Sequence, residues 1–318
     1  MRLPRLSRPR RRLAAALTIL GVGAVAAGVT LVLLFYFTHS LGSPRVSAVI
    51  PRLPEATSQT ATRAPSVTST PTPLVTEPPV PSSTASAEQR PGPVRVPVLM
   101  YHHVGEPPPD ADGVRLRLTV TASDFEAQLI FLSARGYATI TLHDLAAALA
   151  GGSLPPKPVV LTFDDGYADN FDVAFPLLQR YGMTGVFFIA SGFVGKDGYV
   201  TWEQVLALAD AGMEVGAHSR WHSDLTNANM QLLEEEIARS KRDLEQRLGL
   251  AVDFFCYPAG AYNDGVIAAL LTAGYAGAVT TRPGLADGAT ALFEIPRQRV
   301  PGGSTLAEFA RLIGETSD

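Results

Sequence analysis

The sequence predicts an α/β fold: a parallel sheet covered by helices, either open or closed into a barrel. Two observations carry that prediction. From Val94 onward, short apolar runs alternate with amphipathic stretches of helical period. Four strand-like segments also carry His, Asp or Pro at or just beyond their ends. They are Leu99-Met100-Tyr101-His102-His103, Thr162-Phe163-Asp164-Asp165-Gly166, His218-Ser219-Arg220-Trp221-His222 and Tyr257-Pro258-Ala259-Gly260. In such folds the residues just past the strand C-termini gather at one rim, where active sites lie. That rim then holds two adjacent carboxylates, a His-x-x-x-His pair and a further histidine. This is the inventory of a divalent metal site with an acid and a base beside it, and it points to a hydrolase.

The elements follow in order. The run 96–100 reads as a strand, and a helix follows over 122–135 with Thr121 or Ser123 as its cap. A shorter helix over 142–150 ends at Gly151-Gly152. The buried-strand pattern 158–163 leads to a helix over 170–180 closed by Gly182, and strand 185–189 leads to a helix over 202–211. Strand 213–217 precedes the histidine pair and a long helix over 229–248. Strand 253–257 with helix 265–273, then strand 275–280 with a terminal helix over 306–313, complete the series.

The first 93 residues differ in kind. Six arginines in residues 1–12 precede an uncharged stretch from Leu13 to Phe37. As a helix those residues span roughly 37 Å, enough to cross a hydrocarbon core of ~30 Å with some tilt. The expectation is a cytoplasmic basic segment over 1–12 and a single-pass anchor over 13–38, with all that follows outside the cytoplasm. If the helix is cleaved as a signal, the protein is secreted. Residues 39–93 read as a linker, because 43–93 holds 11 Pro and 16 Ser or Thr and shows no apolar periodicity. A proline-rich chain extends at up to about 3.1 Å per residue, a reach that suits an insoluble polymer.

Charge divides along the same boundary. Residues 1–93 carry 10 Lys/Arg against 3 Asp/Glu, a charge of +7, and residues 94–318 carry 16 against 27, a charge of −11. An acidic globular part argues against nucleic acid, whose binding rests on cationic neutralisation of phosphate. The one cysteine, Cys256, excludes an internal disulfide framework.

The carboxylate pair Asp164-Asp165 is the sharpest local signal. Two like charges this close raise each other's proton affinity unless a cation holds one ionised. A metal resolves that conflict and leaves the second carboxylate free as a base. Taken alone, such a pair also serves as turn or cap residues before a helix. His218 and His222, at i and i+4, project from one face of a helical turn and can reach one ion together. With a carboxylate they make a three-ligand set that keeps a position open for water. Trp221 between them belongs either to the pocket wall or to the packing. His143 lies in a helical stretch without a partner motif and reads as a surface or cap residue.

These two motifs, TFDDG and HSRWH, resemble the first two of the polysaccharide deacetylases, the NodB-homology carbohydrate esterases, and the resemblance covers residues 94–318. It implies a distorted (β/α) barrel of about seven parallel strands. The implied activity is removal of N-acetyl groups from N-acetylglucosamine-type units of a cell-wall or extracellular polysaccharide, peptidoglycan included. O-acetyl esterase activity and a weakened glycan-binding module are the alternatives. The resemblance assigns Asp164 as general base and Asp165, His218 and His222 as ligands of one divalent ion, zinc foremost, with cobalt, nickel or manganese as alternatives. The third motif, normally Arg-x-Pro-aromatic, aligns with Cys256-Tyr257-Pro258-Ala259. The arginine is missing, and Arg282, Arg297 or Arg299 stands in for it. Tyr257, Pro258 and Ala259 are the oxyanion and substrate-binding candidates, with the Ala259 N–H polarising the acetyl oxygen. No Leu-x-x-His motif closes the domain. Leu99-Met100-Tyr101-His102 has that pattern at its start, similar to the circularly permuted poly-N-acetylglucosamine deacetylases, which makes His102 the general acid with His103 beside it.

Overall fold

A strand period of two splits each apolar run between two faces, and both faces of this sheet are buried. The computed structural model describes residues 94–315. The expected anchor and linker over 1–93 lie outside the described residues. Among the described residues no helix is long and apolar enough to cross a membrane.

The sheet consists of β1 (Val98–Tyr101), β2 (Ala138–Thr139), β3 (Pro158–Phe163), β4 (Val186–Ile189), β5 (Glu214–Ala217), β6 (Phe254–Cys256), β7 (Gly277–Val279) and β8 (Gln298–Arg299). Seven of these form one path in the order β7-β6-β5-β4-β3-β1-β8, and β2 pairs with the start of β3. Every pairing is parallel. The register sets Leu99 opposite Leu161 and Tyr101 opposite Phe163. The stretch from Ile295 to Val300 joins the two ends of the path. Ile295 N–H donates to Ala278 of β7 at 3.0 Å and its carbonyl accepts from Thr280 just past that strand at 2.8 Å, while Val300 N–H donates to Met100 of β1 at 3.1 Å. The result is a parallel-stranded half-barrel, consistent with the distorted barrel that the resemblance implies.

Leu99, Tyr101, Leu161, Phe163, Phe187, Ile189 and Phe255 face outward into the helix layer. Val98, Val160, Val186, Phe188, Phe254 and Cys256 alternate with them and fill the interior. Leu142 and Leu145 of the helix Leu142–Leu149 join this inner cluster beside the first residues of β1, β4 and β6. That helix therefore plugs the end at which the strands begin. Side-chain caps fix the helix starts as their sequences imply. Thr121 caps Ala122–Ala134, and Thr141/Asp144, Thr201/Gln204 and Thr305/Glu308 form reciprocal capping boxes on Leu142–Leu149, Trp202–Asp210 and Leu306–Leu312.

Several short elements escaped the periodicity, among them β2, β8 and the helix Gly113–Leu118. None is long enough to display a period. Two helices also open differently from expectation. The 170–180 stretch starts as a π-helical turn, Asn170–Ala174, before Phe175–Arg180. Pro176 has no N–H to donate to Asp172, so a regular α-turn loses its bond there. The long helix after the histidine motif runs as Met230–Leu233, a π-turn Glu234–Ala238, and Arg239–Leu248.

His143 sits on the plugging helix, 54% exposed, with Nδ1 3.0 Å from Glu214 Oε1 and Nε2 3.0 Å from Asp253 Oδ2. It is a surface residue with partners that its sequence context did not show. The Glu214 carboxylate outweighs partial burial and, with Asp253, lifts its pKa from 6.5 to about 9. A raised pKa stabilises the fold fully below the unfolded value of about 6.5, and the contribution is lost as pH rises through about 9. Lys241, 3.5 Å from Asp253, competes for that carboxylate, and water screens an exposed pair. His143→Gln should therefore lower stability by about 0.5–1 kcal/mol at pH 6. In urea titrations the gap to wild type closes towards pH 10, and a gap that widens with pH overturns the assignment.

Candidate active site

At the strand C-termini the chain turns sharply and exposes its polar groups. Asp164 follows β3 directly, its N–H bound to Tyr101 O at 3.0 Å. Asp165 and Gly166 then both take φ of +74°. A left-handed aspartate is uncommon and costs on the order of 1–3 kcal/mol, a strain typical of functional turns. The reversal brings both carboxylates to the same cavity, about 450 Å³ in volume, beside His102, His218 and His222.

Asp164 is 2% exposed. Arg297, projecting inward between the two ends of the sheet path, grips it with Nη1 at 2.7 Å from Oδ1 and Nη2 at 2.8 Å from Oδ2. The guanidinium also donates to Thr162 Oγ1, Thr280 O and Cys256 Sγ, at 2.9, 2.9 and 3.2 Å. Burial pushes the Asp164 pKa up, but the Arg297 charge and its paired hydrogen bonds outweigh that and hold it below the usual carboxylate range. Of the three arginines offered by the sequence, Arg297 supplies the guanidinium missing from the third motif. Cys256, at the motif position itself, packs against it.

Asp165, His218 and His222 place one donor atom each within 4.8 Å of one another. His218 Nε2 lies 3.2 Å and His222 Nε2 3.6 Å from the same oxygen, Asp165 Oδ1. Ligands at about 2.0–2.1 Å around a tetrahedral ion stand about 3.3 Å apart, so the trio fits a zinc-like ion. His218 Nδ1 is 2.7 Å from Cys256 O, which leaves Nε2 to bear the lone pair towards the site. That lone pair then faces a carboxylate, an arrangement that calls for a cation between them. A second cluster, Asp164, His218 and Cys256, also lies within 4.8 Å. Its carboxylate and sulfur are already occupied by Arg297, whose charge opposes a metal there. Burial pulls the His102 pKa below its ordinary value against the attraction of Asp164 and Asp165. Its Nε2 stands 4.0 Å from Asp164 Oδ2.

Two expectations need correction. The histidine pair does not ride on a helical turn. Residues 218–222 form a loop in which Ser219 (φ 57°) and His222 (φ 56°) are left-handed, and His222 N–H donates to Ser219 Oγ at 2.9 Å. Spacing alone suggested the helix; the loop achieves convergence by another route. His103 does not stand beside His102 in the cavity. It is 3% exposed, 2.7 Å from Asp169 through Nδ1, and stacked on Tyr167 at 3.6 Å. Tyr257 and Ala259 line the cavity, whereas Pro258 is buried and shapes the turn before Ala259 (φ 52°).

Trp221 belongs to an aromatic wall whose other members the sequence did not indicate. Tyr199 lies 5.3 Å from Tyr167 and 4.9 Å from Phe193, and Trp221 meets Phe193 edge-on at 5.8 Å. These rings come from three separate loops, so no local pattern links them.

A family model described as polysaccharide deacetylase matches residues 151–278. The chain is 32% identical over 222 residues to the polysaccharide deacetylase YxkH of Bacillus subtilis (strain 168), covering 70% of this chain and 77% of that protein. It is 28% identical over 240 residues to the poly-beta-1,6-N-acetyl-D-glucosamine N-deacetylase of Escherichia coli (strain K12), covering 62% of this chain and only 36% of that longer protein. The solved Streptococcus pyogenes deacetylase PplD in complex with acetate superposes with a TM-score of 0.65 at 28% identity, over 70% of this chain and 99% of that one.

Proposed function

The chain belongs to the polysaccharide deacetylase family, and from that premise we propose that it removes N-acetyl groups from N-acetylglucosamine-type units of a cell-wall or extracellular polysaccharide. The family makes it a hydrolase that deacetylates polysaccharide. One observation carries the finer reading: a base held ionised by Arg297 shares a cavity floor with the Asp165–His218–His222 trio and with His102. The E. coli relative, named for N-deacetylation of a poly-N-acetylglucosamine, supports the choice of linkage and sugar.

Asp165, His218 and His222 would hold a divalent ion, zinc in this reading, which would supply Lewis acidity towards water and the acetyl carbonyl. Asp164 accepts the proton of the attacking water, and Arg297 keeps it ionised and aimed. The Ala259 N–H stabilises the acetyl oxygen as charge develops, which needs no side chain. His102 protonates the departing nitrogen, so the C–N bond breaks to acetate and a free amine. The planar faces of Tyr167, Tyr199, Phe193 and Trp221 suit the apolar faces of pyranose rings. The basic residues 1–12 ahead of the uncharged 13–38 support a single-pass anchor with the catalytic part outside, and 39–93 a spacer towards a surface polymer.

The test incubates the full-length chain with chitin oligomers, poly-N-acetylglucosamine and peptidoglycan, measuring acetate and free amines together. We expect equal amounts of both from at least one polymer, loss on treatment with dipicolinate, and recovery with Zn²⁺. His222→Ala should show sub-stoichiometric metal by elemental analysis. Acetate without amine would make the protein an ester hydrolase, and full activity after chelation would remove the metal from the reading.

A further inference from the structure

We infer that Glu236 is a positioning residue that holds the His218–His222 loop in its ligating conformation, an inference that rests on the metal-site reading above. Glu236 is 1% exposed. A carboxyl group taken out of water is costly unless hydrogen bonds replace its hydration. Here they come entirely from the histidine loop. Glu236 Oε2 accepts from Arg220 N–H at 3.0 Å and Trp221 N–H at 2.8 Å, and Oε1 accepts from Ser223 O–H at 2.8 Å. Two of these donors lie between the histidines, and the third follows His222 directly.

The loop needs such a hold. Ser219 and His222 are both left-handed without being glycine, a conformation that costs on the order of 1–3 kcal/mol each and persists only where surroundings impose it. From the opposite side Gly192 N–H donates to Arg220 O at 2.8 Å. A Cβ at Gly192 would stand 2.6 Å from that oxygen, so only glycine admits the approach. The loop is thus gripped between the segment after β4 and Glu236. The Arg220 side chain turns away to Glu235 and to Asp243, the latter at 3.2 Å, leaving Glu236 to the backbone. Glu236 itself lies in the π-turn of the long helix, on the buried stripe shared by Leu233, Ile237, Ser240 and Leu244. A π-turn inserts one residue into the helical repeat and re-aims the side chains around it.

Groups that orient metal ligands from behind are worth about 10–100-fold in metal affinity. We therefore expect Glu236→Ala, in the full-length chain, to bind Co²⁺ 10–100-fold more weakly by competition with a chromophoric chelator, with an altered cobalt d–d spectrum and wild-type far-UV circular dichroism. Glu236→Gln should restore affinity to within about threefold, because its oxygen can accept from both amides while its NH₂ faces the Ser223 hydroxyl. Should Glu236→Ala fail to fold, Ser223→Ala, which removes one arm alone, is read by the same spectrum and should shift it. Wild-type Co²⁺ affinity and spectrum in folded Glu236→Ala, or in Ser223→Ala where only that variant folds, would overturn the inference. Wild-type protein that binds no Co²⁺ would instead overturn the metal site, with His222→Ala as the control that separates the two.

Discussion

Arg297→Met will destabilise the fold by about 3–5 kcal/mol and abolish turnover, because it leaves Asp164 as an uncompensated charge in the barrel interior. The pair is 1% and 3% exposed in its side chains, so water cannot replace the lost partner. The guanidinium makes two hydrogen bonds to the carboxylate and three to other groups. Arg297→Lys brings a charge but not the planar fork, and should recover only part of the loss. Asp164→Asn with Arg297→Met should regain much of the stability and none of the activity. Asp164 has a depressed pKa, so its contribution is present above the unfolded value of about 3.9 and disappears as pH falls through the folded one. The gap between wild type and Arg297→Met in urea midpoints should accordingly narrow below pH 4. A loss under about 1 kcal/mol at pH 7 would mean that the ion pair is not buried as described.

His102→Ala should keep its fold and its metal yet lose about 10²–10⁴-fold in kcat on an acetamide, the usual worth of a general acid or base. The residue follows β1 directly and lines the cavity, and Asn170 Nδ2 donates to its carbonyl at 2.6 Å. An acetyl ester, whose alcohol leaves with less help, should suffer less than the amide. Unchanged kcat in metal-loaded His102→Ala would refute the acid assignment. His103 is not then the next candidate, since it is buried outside the cavity lining, committed to Asp169 and stacked on the Tyr167 ring.

The chain's own pattern revealed six of the seven strands in the sheet path, because each is a run of buried apolar residues bounded by turn residues. The seventh, Gln298–Arg299, is two residues long and wholly polar, and it is recognisable only by its pairing beside β1. The motif residues were legible for a similar reason: chemistry that needs two carboxylates and two histidines cannot hide them in sequence. Glu236 left a fainter signal, an acidic residue on an otherwise apolar helical stripe.

The sequence by itself determined the fold class and the metal-ligand candidates, since both follow from residue type at strand ends, and its family resemblance offered Asp164 and His102 as the acid–base candidates. Only the tertiary structure decided which arginine serves Asp164, because a guanidinium reaching across the barrel leaves no trace in local spacing. It also decided that His218 and His222 meet through a strained loop rather than a helix. That conformation is imposed by Glu236 and Gly192, contacts distant in sequence, and local propensity cannot report what distant contacts enforce.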